Sequence, residues 1–218
     1  MMRRPWLLLC AAIACAVLTL LPAIRQDEQY HLFADHRTLL GIANFWNVVS
    51  NLPFLVVGLT GLRTARRLSE KSLFAGVLLT AFGSAYYHLA PGDARLVWDR
   101  LPMTLVFMSF VCCVLEEDRL VLPLAAIGTG SVIWWRLSND LRFYGLIKFG
   151  PILVLLPILV RRRQLLTIVA LFGLAQLCEF EDRAVYSLLA ISGHTVKHLV
   201  AGLATFVMLR WRQQMQTA

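Results

Sequence analysis

Long apolar runs alternate with short polar or charged segments along almost the whole chain of 218 residues. About 20 mostly apolar residues are needed to cross the hydrocarbon core of a bilayer. Because a segment in lipid must satisfy its own peptide groups, each run is expected to be an α-helix. The predicted fold is therefore an all-α, polytopic transmembrane helix bundle. Its spans are predicted near residues 5–24, 44–62, 72–90, 100–115, 119–136, 145–160, 164–179 and 194–210.

The same pattern divides the chain into four parts. Residues 1–24 are expected to form an N-terminal transmembrane helix or signal anchor, because their apolar run exceeds the roughly 7–15 residues of a signal-peptide core. A cleaved signal peptide is the alternative. Residues 25–43 form a polar segment on the non-cytoplasmic side, residues 44–210 a seven-helix core, and residues 211–218 a cytoplasmic tail.

Composition supports the membrane assignment and limits the partners. The chain is 58% hydrophobic and 16% charged, with a mean hydropathy of +0.66, whereas a soluble domain is about half apolar and about a quarter charged. The net charge of +8 lies in short clusters between spans, as at 66–67 and 161–163. Such clusters are typical of membrane topology rather than nucleic-acid binding. Both termini are predicted to be cytoplasmic, in a bacterial inner membrane.

Two pairs of polar residues and one carboxylate interrupt the apolar spans. His194 and His198 are four residues apart, as are Ser84 and His88, while Asp99 lies at the start of the fourth predicted span. Histidines at positions i and i+4 of a helix can present two nitrogens to one metal. Each feature alone also has a structural explanation, such as a hydroxyl bonded back to its own helix or a carboxylate at a helix start.

The predicted topology places all five residues at one membrane depth. The third span runs outward and ends near His88, whereas the fourth and eighth begin outside, at Asp99 and His194. Three histidines with one open position are the ligand set of catalytic zinc. We therefore predict a zinc hydrolase site toward the non-cytoplasmic side, in which Asp99 accepts the proton of the attacking water and Ser84 donates to the oxyanion.

Four blocks of sequence carry a resemblance to a known family. They are NFWNVVSNLPF at 44–54, GSAYYH at 83–88, DRLPM at 99–103 and HTVKHLVAG at 194–202. In this order they resemble the alkaline ceramidase family, within the superfamily of seven-helix membrane hydrolases. The resemblance covers roughly residues 30–210.

The resemblance implies an activity and a role for each site residue. It implies a zinc-dependent amidase that cuts the N-acyl bond of ceramide-like lipids in the bilayer, giving a fatty acid and a sphingoid base. Ser84 and Asp99 would be catalytic, and His88, His194 and His198 would bind zinc. The first helix would be an addition to the family's seven.

A calcium site is a further property of animal relatives, which carry a glutamate immediately before the FWN block. Asn44 stands at that position here, and Asp35 is the clearest nearby carboxylate. Calcium takes about six to eight oxygen ligands. The substitution therefore argues against calcium, although Asp35 and Asn44 are the residues that would contribute to such a site.

Two other classes of function stay open at the level of sequence. The same superfamily includes receptors of the progestin and adiponectin receptor type, which share the constellation of serine, aspartate and three histidines. A receptor would hold zinc without turning over lipid amides. A transporter would carry polar groups near the membrane midplane, whereas the polar groups here lie toward one end of their spans.

Overall fold

A computed structural model describes residues 5–217, with side chains described for residues 9–216. Arg3 and Arg4, which contribute to the predicted topology, and the last residue of the predicted tail lie outside these residues. Throughout residues 5–217 the chain is helical or irregular, with one isolated β-bridge between Leu39 and Ile42 and no strand. The predicted all-α class is confirmed.

The helices follow the apolar runs of the sequence, with short 3₁₀ turns at Glu28–His31 and Asp118–Leu120. We number them in chain order: α1 Pro5–Leu20, α2 Phe45–Val49, α3 Leu52–Thr64, α4 Leu68–Leu89, α5 Asp93–Leu115, α6 Val121–Ser138, α7 Arg142–Leu159, α8 Arg163–Phe180, α9 Asp182–Leu189 and α10 Gly193–Thr217.

Within residues 5–217, five segments are long and apolar enough to cross a membrane, which identifies an integral membrane protein. They are Phe45–Thr64, Asp93–Leu115, Asp118–Ser138, Arg142–Leu159 and Arg163–Phe180. The helices α4 and α10 have 22 and 25 residues, but polar side chains such as His88 and His194 lower their apolar character. The seven-helix core therefore stays a prediction.

The second predicted span is broken into two helices. Pro53 lies in the first turn of α3 and has no N–H to continue the helical hydrogen bonding of α2. Ser50 and Asn51 form the junction, where the amide of Asn51 donates to the carbonyl of Val48 at 3.3 Å. The break turns the buried side chain of Ser50 toward α10.

The helix α4 packs closely against α5 beside the predicted site. A Cβ atom on Gly83 would lie 2.1 Å from the carbonyl oxygen of Trp98, so glycine is required for this approach. Gly83 and Trp98 directly precede Ser84 and Asp99 in the chain. The close contact therefore brings these two side chains together.

The sequence pattern predicted no helix between 179 and 194, but the structure contains the eight-residue helix α9 there. The helix is far shorter than a span, so the search for long apolar runs missed it. Leu188 and Leu189 are exposed on α9. The chain then returns to start α10, where a Cβ on Gly193 would lie 2.1 Å from the carbonyl oxygen of Cys178 at the end of α8.

Candidate metal centre

Three histidine side chains converge between two helices. His88 lies in the last turn of α4, and His194 and His198 lie in the first two turns of α10. One ligand nitrogen from each lies within 4.8 Å of the others, and the ring centroids are 4.8–4.9 Å apart. This arrangement can hold one metal ion on three nitrogen ligands, the number that leaves a catalytic zinc with an open position.

The hydrogen bonding of His88 also fits a metal ligand. His88 is fully buried, and neither of its ring nitrogens has a hydrogen-bond partner among the described residues. Most buried polar atoms in proteins are hydrogen-bonded, so an unpaired pair of imidazole nitrogens requires an explanation. A metal ion bound between the three rings would satisfy one of them.

His198 is oriented by a residue of the α2–α3 junction. Its Nδ1 lies 2.8 Å from Oγ of Ser50, which in turn lies 3.1 Å from the carbonyl oxygen of Asn47. When the hydroxyl donates to this carbonyl, Nδ1 of His198 is the donor to Ser50, and Nε2 is left unprotonated. A hydrogen bond of this kind fixes the tautomer and the ring orientation of a metal ligand.

The start of α10 is held by a buried amide. Oδ1 of Asn47 accepts hydrogen bonds from the hydroxyls of Ser192, at 2.9 Å, and Thr195, at 2.7 Å. Asn47 is fully buried. The side chain therefore fixes the first turn of α10, which carries His194.

Asp182 joins the same turn to the polar segment 25–43. One carboxylate oxygen accepts from the backbone N–H of His194 at 2.8 Å, and the other accepts from the N–H of Ala34 at 2.7 Å. Phe33 then packs against the rings of His88 and His194, at centroid distances of 4.8 and 4.5 Å. The segment thus covers the outer side of the histidine cluster.

The structure brings Ser84 and Asp99 to the same place as the histidines. Both side chains are buried. Together with His198 they line one cavity. All five residues predicted from the sequence therefore meet, and their individual roles stay predictions.

This cavity is mainly apolar and has a volume of about 130 Å³. It lies among α4, α5, α7, α8 and α10, and extends from Ser84, Asp99 and His198 to Leu159 and Met208. Ten residues separate His198 from Met208 on α10, which corresponds to roughly 15 Å along the helix axis. A narrow apolar space with a polar end is suited to a lipid chain attached to a polar group.

A second, polar cleft of about 270 Å³ reaches His194 from the other side, between the segment 25–43 and the α8–α9 connection. Tyr30, Glu179 and Asp182 are among its lining residues. The histidine cluster thus lies between an apolar cavity inside the bundle and a polar cleft that can admit water.

A cluster of charged residues beside the histidines was missed by sequence reasoning. Glu179 accepts hydrogen bonds from Lys197 and, at 2.9 Å, from the hydroxyl of Tyr30. Its carboxylate also lies 3.7 Å from both Nδ1 of His194 and Nζ of Lys148. Lys148 lies within α7, with its side chain 15% exposed. Buried charges within a membrane bundle are the signal that could have found this cluster.

The two residues considered for calcium already have partners in the protein. The guanidinium of Arg37 bonds both carboxylate oxygens of Asp35, at 2.9 and 2.6 Å, and thereby lowers the pKa of Asp35. The side-chain amide of Asn44 donates to the carbonyl of His88 at 2.8 Å. A metal could be held by a group of at least three His, Cys, Asp or Glu side chains that lie close together. Among the described residues, the three histidines form such a group, and Asp35 belongs to none.

Comparison with known proteins adds one finding. A family model described as Ceramidase matches residues 34–175, or roughly two thirds of the chain. The match includes Ser84, His88 and Asp99 and ends before the two histidines of α10. No curated protein and no solved structure gives a significant match.

Proposed function

Because the chain belongs to the ceramidase family, we propose that it is a zinc-dependent membrane amidase that hydrolyses the N-acyl bond of ceramide-like lipids to a fatty acid and a sphingoid base. The observation that carries this proposal is the position of the three histidines. They lie beside the buried side chains of Ser84 and Asp99, at the polar end of an apolar cavity.

The metal ligands in this proposal are His88, His194 and His198. Three neutral imidazoles match the preference of zinc for nitrogen ligands, and they leave a position for water. A zinc ion held there supplies a water whose pKa is lowered to about 7 and polarises the scissile carbonyl.

Asp99 is the proposed general base and acid. Its carboxylate takes the proton of the attacking water and returns it to the nitrogen of the leaving amine when the C–N bond breaks. Ser84 lines the same cavity as Asp99. When charge develops on the carbonyl oxygen, the Ser84 hydroxyl donates to that oxygen.

The shape of the cavity supports a lipid substrate. An acyl chain placed in the apolar part, toward Leu159 and Met208, positions its carbonyl carbon near Ser84 and Asp99. The apolar lining excludes bulk water from the chain, while the polar cleft beside His194 supplies water to the site. Binding of the chain thereby fixes the position of the amide, which is a major source of rate in enzymes.

The test is hydrolysis by the purified protein in detergent, measured as fatty-acid release from a panel of N-acyl lipids. Ceramides are expected to be hydrolysed, activity should disappear after a strong chelator, and zinc should restore it. Full activity in a metal-free preparation contradicts the proposal. Zinc-loaded protein that binds lipid but hydrolyses none of the panel also contradicts it and favours a receptor.

A further inference from the structure

Lys148 is a largely buried cation, with its side chain 15% exposed, that the proposed chemistry does not use. Its side chain lines the apolar cavity together with Ser84 and Asp99. Among the described residues its ammonium makes no hydrogen bond, and its nearest counter-charge is Glu179, at 3.7 Å. An ammonium group removed from water without hydrogen bonds is costly, so its retention in this position requires a reason.

The negative charge of Glu179 does not by itself explain why Lys148 is retained at this position. The Oε1 atom of Glu179 already bonds Lys197 and the hydroxyl of Tyr30. Lys197 alone supplies one positive charge for this one carboxylate. Lys148 is therefore a second cation beside a carboxylate that already has a hydrogen-bonded partner. The N–H groups of the Lys148 ammonium remain able to donate to another group.

A second polar side chain lines the same cavity. Gln176 precedes Glu179 by three residues on α8, so the two side chains share a helix face. Its amide lines the same cavity and has no hydrogen-bond partner within the described part of the chain. Lys148 and Gln176 thus place hydrogen-bonding groups without partners in a space that is otherwise mainly apolar.

The depth of these groups matches that of the proposed reaction. Lys148 and Asp99 each lie six residues from the first residue of their helices, α7 and α5, or roughly 9 Å along the axis. Both side chains line the same cavity. A group bound by Lys148 would therefore lie near the scissile amide rather than at the far end of the acyl chain.

We propose that Lys148 and Gln176 form a subsite that binds a hydroxyl group on the amine portion of the lipid, next to the amide nitrogen. The ammonium of Lys148 donates to the hydroxyl oxygen, and the side-chain carbonyl of Gln176 accepts the hydroxyl proton. The inference rests on the proposed amidase function and extends it, because it makes the subsite a determinant of specificity for hydroxylated amine portions.

The test compares two substrates with the same acyl chain. One is a ceramide with its hydroxyls, and the other is an N-acyl alkylamine of matched length without hydroxyls. Lys148→Met keeps the length of the side chain and removes the charge, while Lys71→Met, at an exposed position of α4, is the matched control. Gln176→Leu tests the subsite without altering a charge. Zinc content and thermal unfolding are measured for every variant.

Loss of a hydrogen bond from a charged group should lower kcat/KM by roughly ten- to a hundredfold. We expect this loss for Lys148→Met on the ceramide, mainly through KM, with less than about a threefold change on the N-acyl alkylamine. Gln176→Leu should lower kcat/KM for the ceramide by a smaller factor and again leave kcat/KM for the N-acyl alkylamine nearly unchanged. Lys71→Met should alter kcat/KM for neither substrate.

Three results would overturn the inference. Equal losses on both substrates would assign Lys148 and Gln176 a structural role. Weaker inhibition by free fatty acid in Lys148→Met, with equal losses on both substrates, would assign Lys148 to the product carboxylate. A wild-type protein that hydrolyses neither substrate would contradict the proposed function itself, and the inference with it.

Discussion

At the level of single side chains, the proposed mechanism gives Ser84 and Asp99 different tasks. The carboxylate of Asp99 is buried and lines the same cavity as Ser84 and His198. Neither residue belongs to the group of three histidines that can hold a metal. Substitution of either should therefore alter the chemical step and leave metal binding largely unchanged.

Asp99→Asn removes the proposed proton acceptor while keeping the size of the side chain. We expect kcat for ceramide hydrolysis to fall by about 10²- to 10⁴-fold, the contribution typical of a positioned acid–base group, with zinc content unchanged. Asp93→Asn on the same helix is the control, because the side chain of Asp93 is 47% exposed. Retained activity in Asp99→Asn would remove Asp99 from the mechanism.

Ser50→Ala removes the hydroxyl that orients the His198 ring. Loss of such a partner typically weakens metal binding by about 10- to 100-fold, and we expect a loss of this size in a zinc competition titration with a chelating dye. Ser138→Ala, at an exposed serine bonded to its own helix, should leave affinity unchanged. Equal zinc affinity in Ser50→Ala and wild type would show that Ser50 does not position the ligand.

Sequence reasoning found residues whose chemistry shows in local spacing and missed those that act through tertiary contacts. The pairs Ser84–His88 and His194–His198 are each four residues apart and were predicted. Ser50 is 148 residues from His198, and no spacing rule connects them. Lys148 could not be placed in the cavity before the packing of α7 was known.

At the level of helices, the site depends on how the start of α10 is fixed. Asn47 on α2 holds Ser192 and Thr195, and Asp182 on α9 holds the N–H of His194. Both helices are short: α2 is the first part of a broken span, and α9 lies between two spans. The long spans were predictable from apolar runs, whereas α9 and the break between α2 and α3 are too short for that signal.

Asn47→Ala should destabilise the fold and the metal site together. It leaves two buried hydroxyls without their acceptor, and an unsatisfied buried polar group costs about 1–3 kcal/mol. We expect a lower Tm in detergent and weaker zinc binding. Val56→Ala, at a position of α3 that is 62% exposed, is the control. An unchanged Tm for Asn47→Ala would contradict the role of this amide.

At the scale of the whole molecule, ion pairs join helices that are distant in sequence. Arg212 on α10 donates to the buried Glu70 of α4 at 2.6 Å, at the end of the bundle opposite the histidines. Arg142 on α7 bonds Asp140 and also donates to the carbonyls of Leu18, in the last turn of α1, and Leu21, just after that helix. These contacts could not be predicted, because charge clusters between spans indicated topology only.

Asp140 gives the attachment of α1 a defined dependence on pH. Its hydrogen bonds with Arg142 lower the pKa of Asp140 to about 2, below the roughly 3.9 of a free aspartate. The ionised form therefore stabilises the fold fully above about pH 5, and this contribution is lost as the pH falls toward 2.

Asp140→Asn should lower Tm by a constant amount above about pH 5, and the difference from wild type should shrink between about pH 4 and pH 2. Glu28→Gln makes the same change of charge at an exposed position and should show no such difference. Thermal unfolding in detergent across this range is the measurement. A difference between Asp140→Asn and wild type that grows as the pH falls would contradict the assignment.

The most direct test of a zinc amidase is to measure zinc content and ceramide hydrolysis on the same preparations. Wild type should hold about one zinc per chain, as a three-histidine site does, and His88→Ala should lose zinc and hydrolysis together. His36→Ala, at an exposed histidine of the segment 25–43, should keep both. Hydrolysis that persists in His88→Ala without zinc, or zinc that stays fully bound after this substitution, would contradict the account.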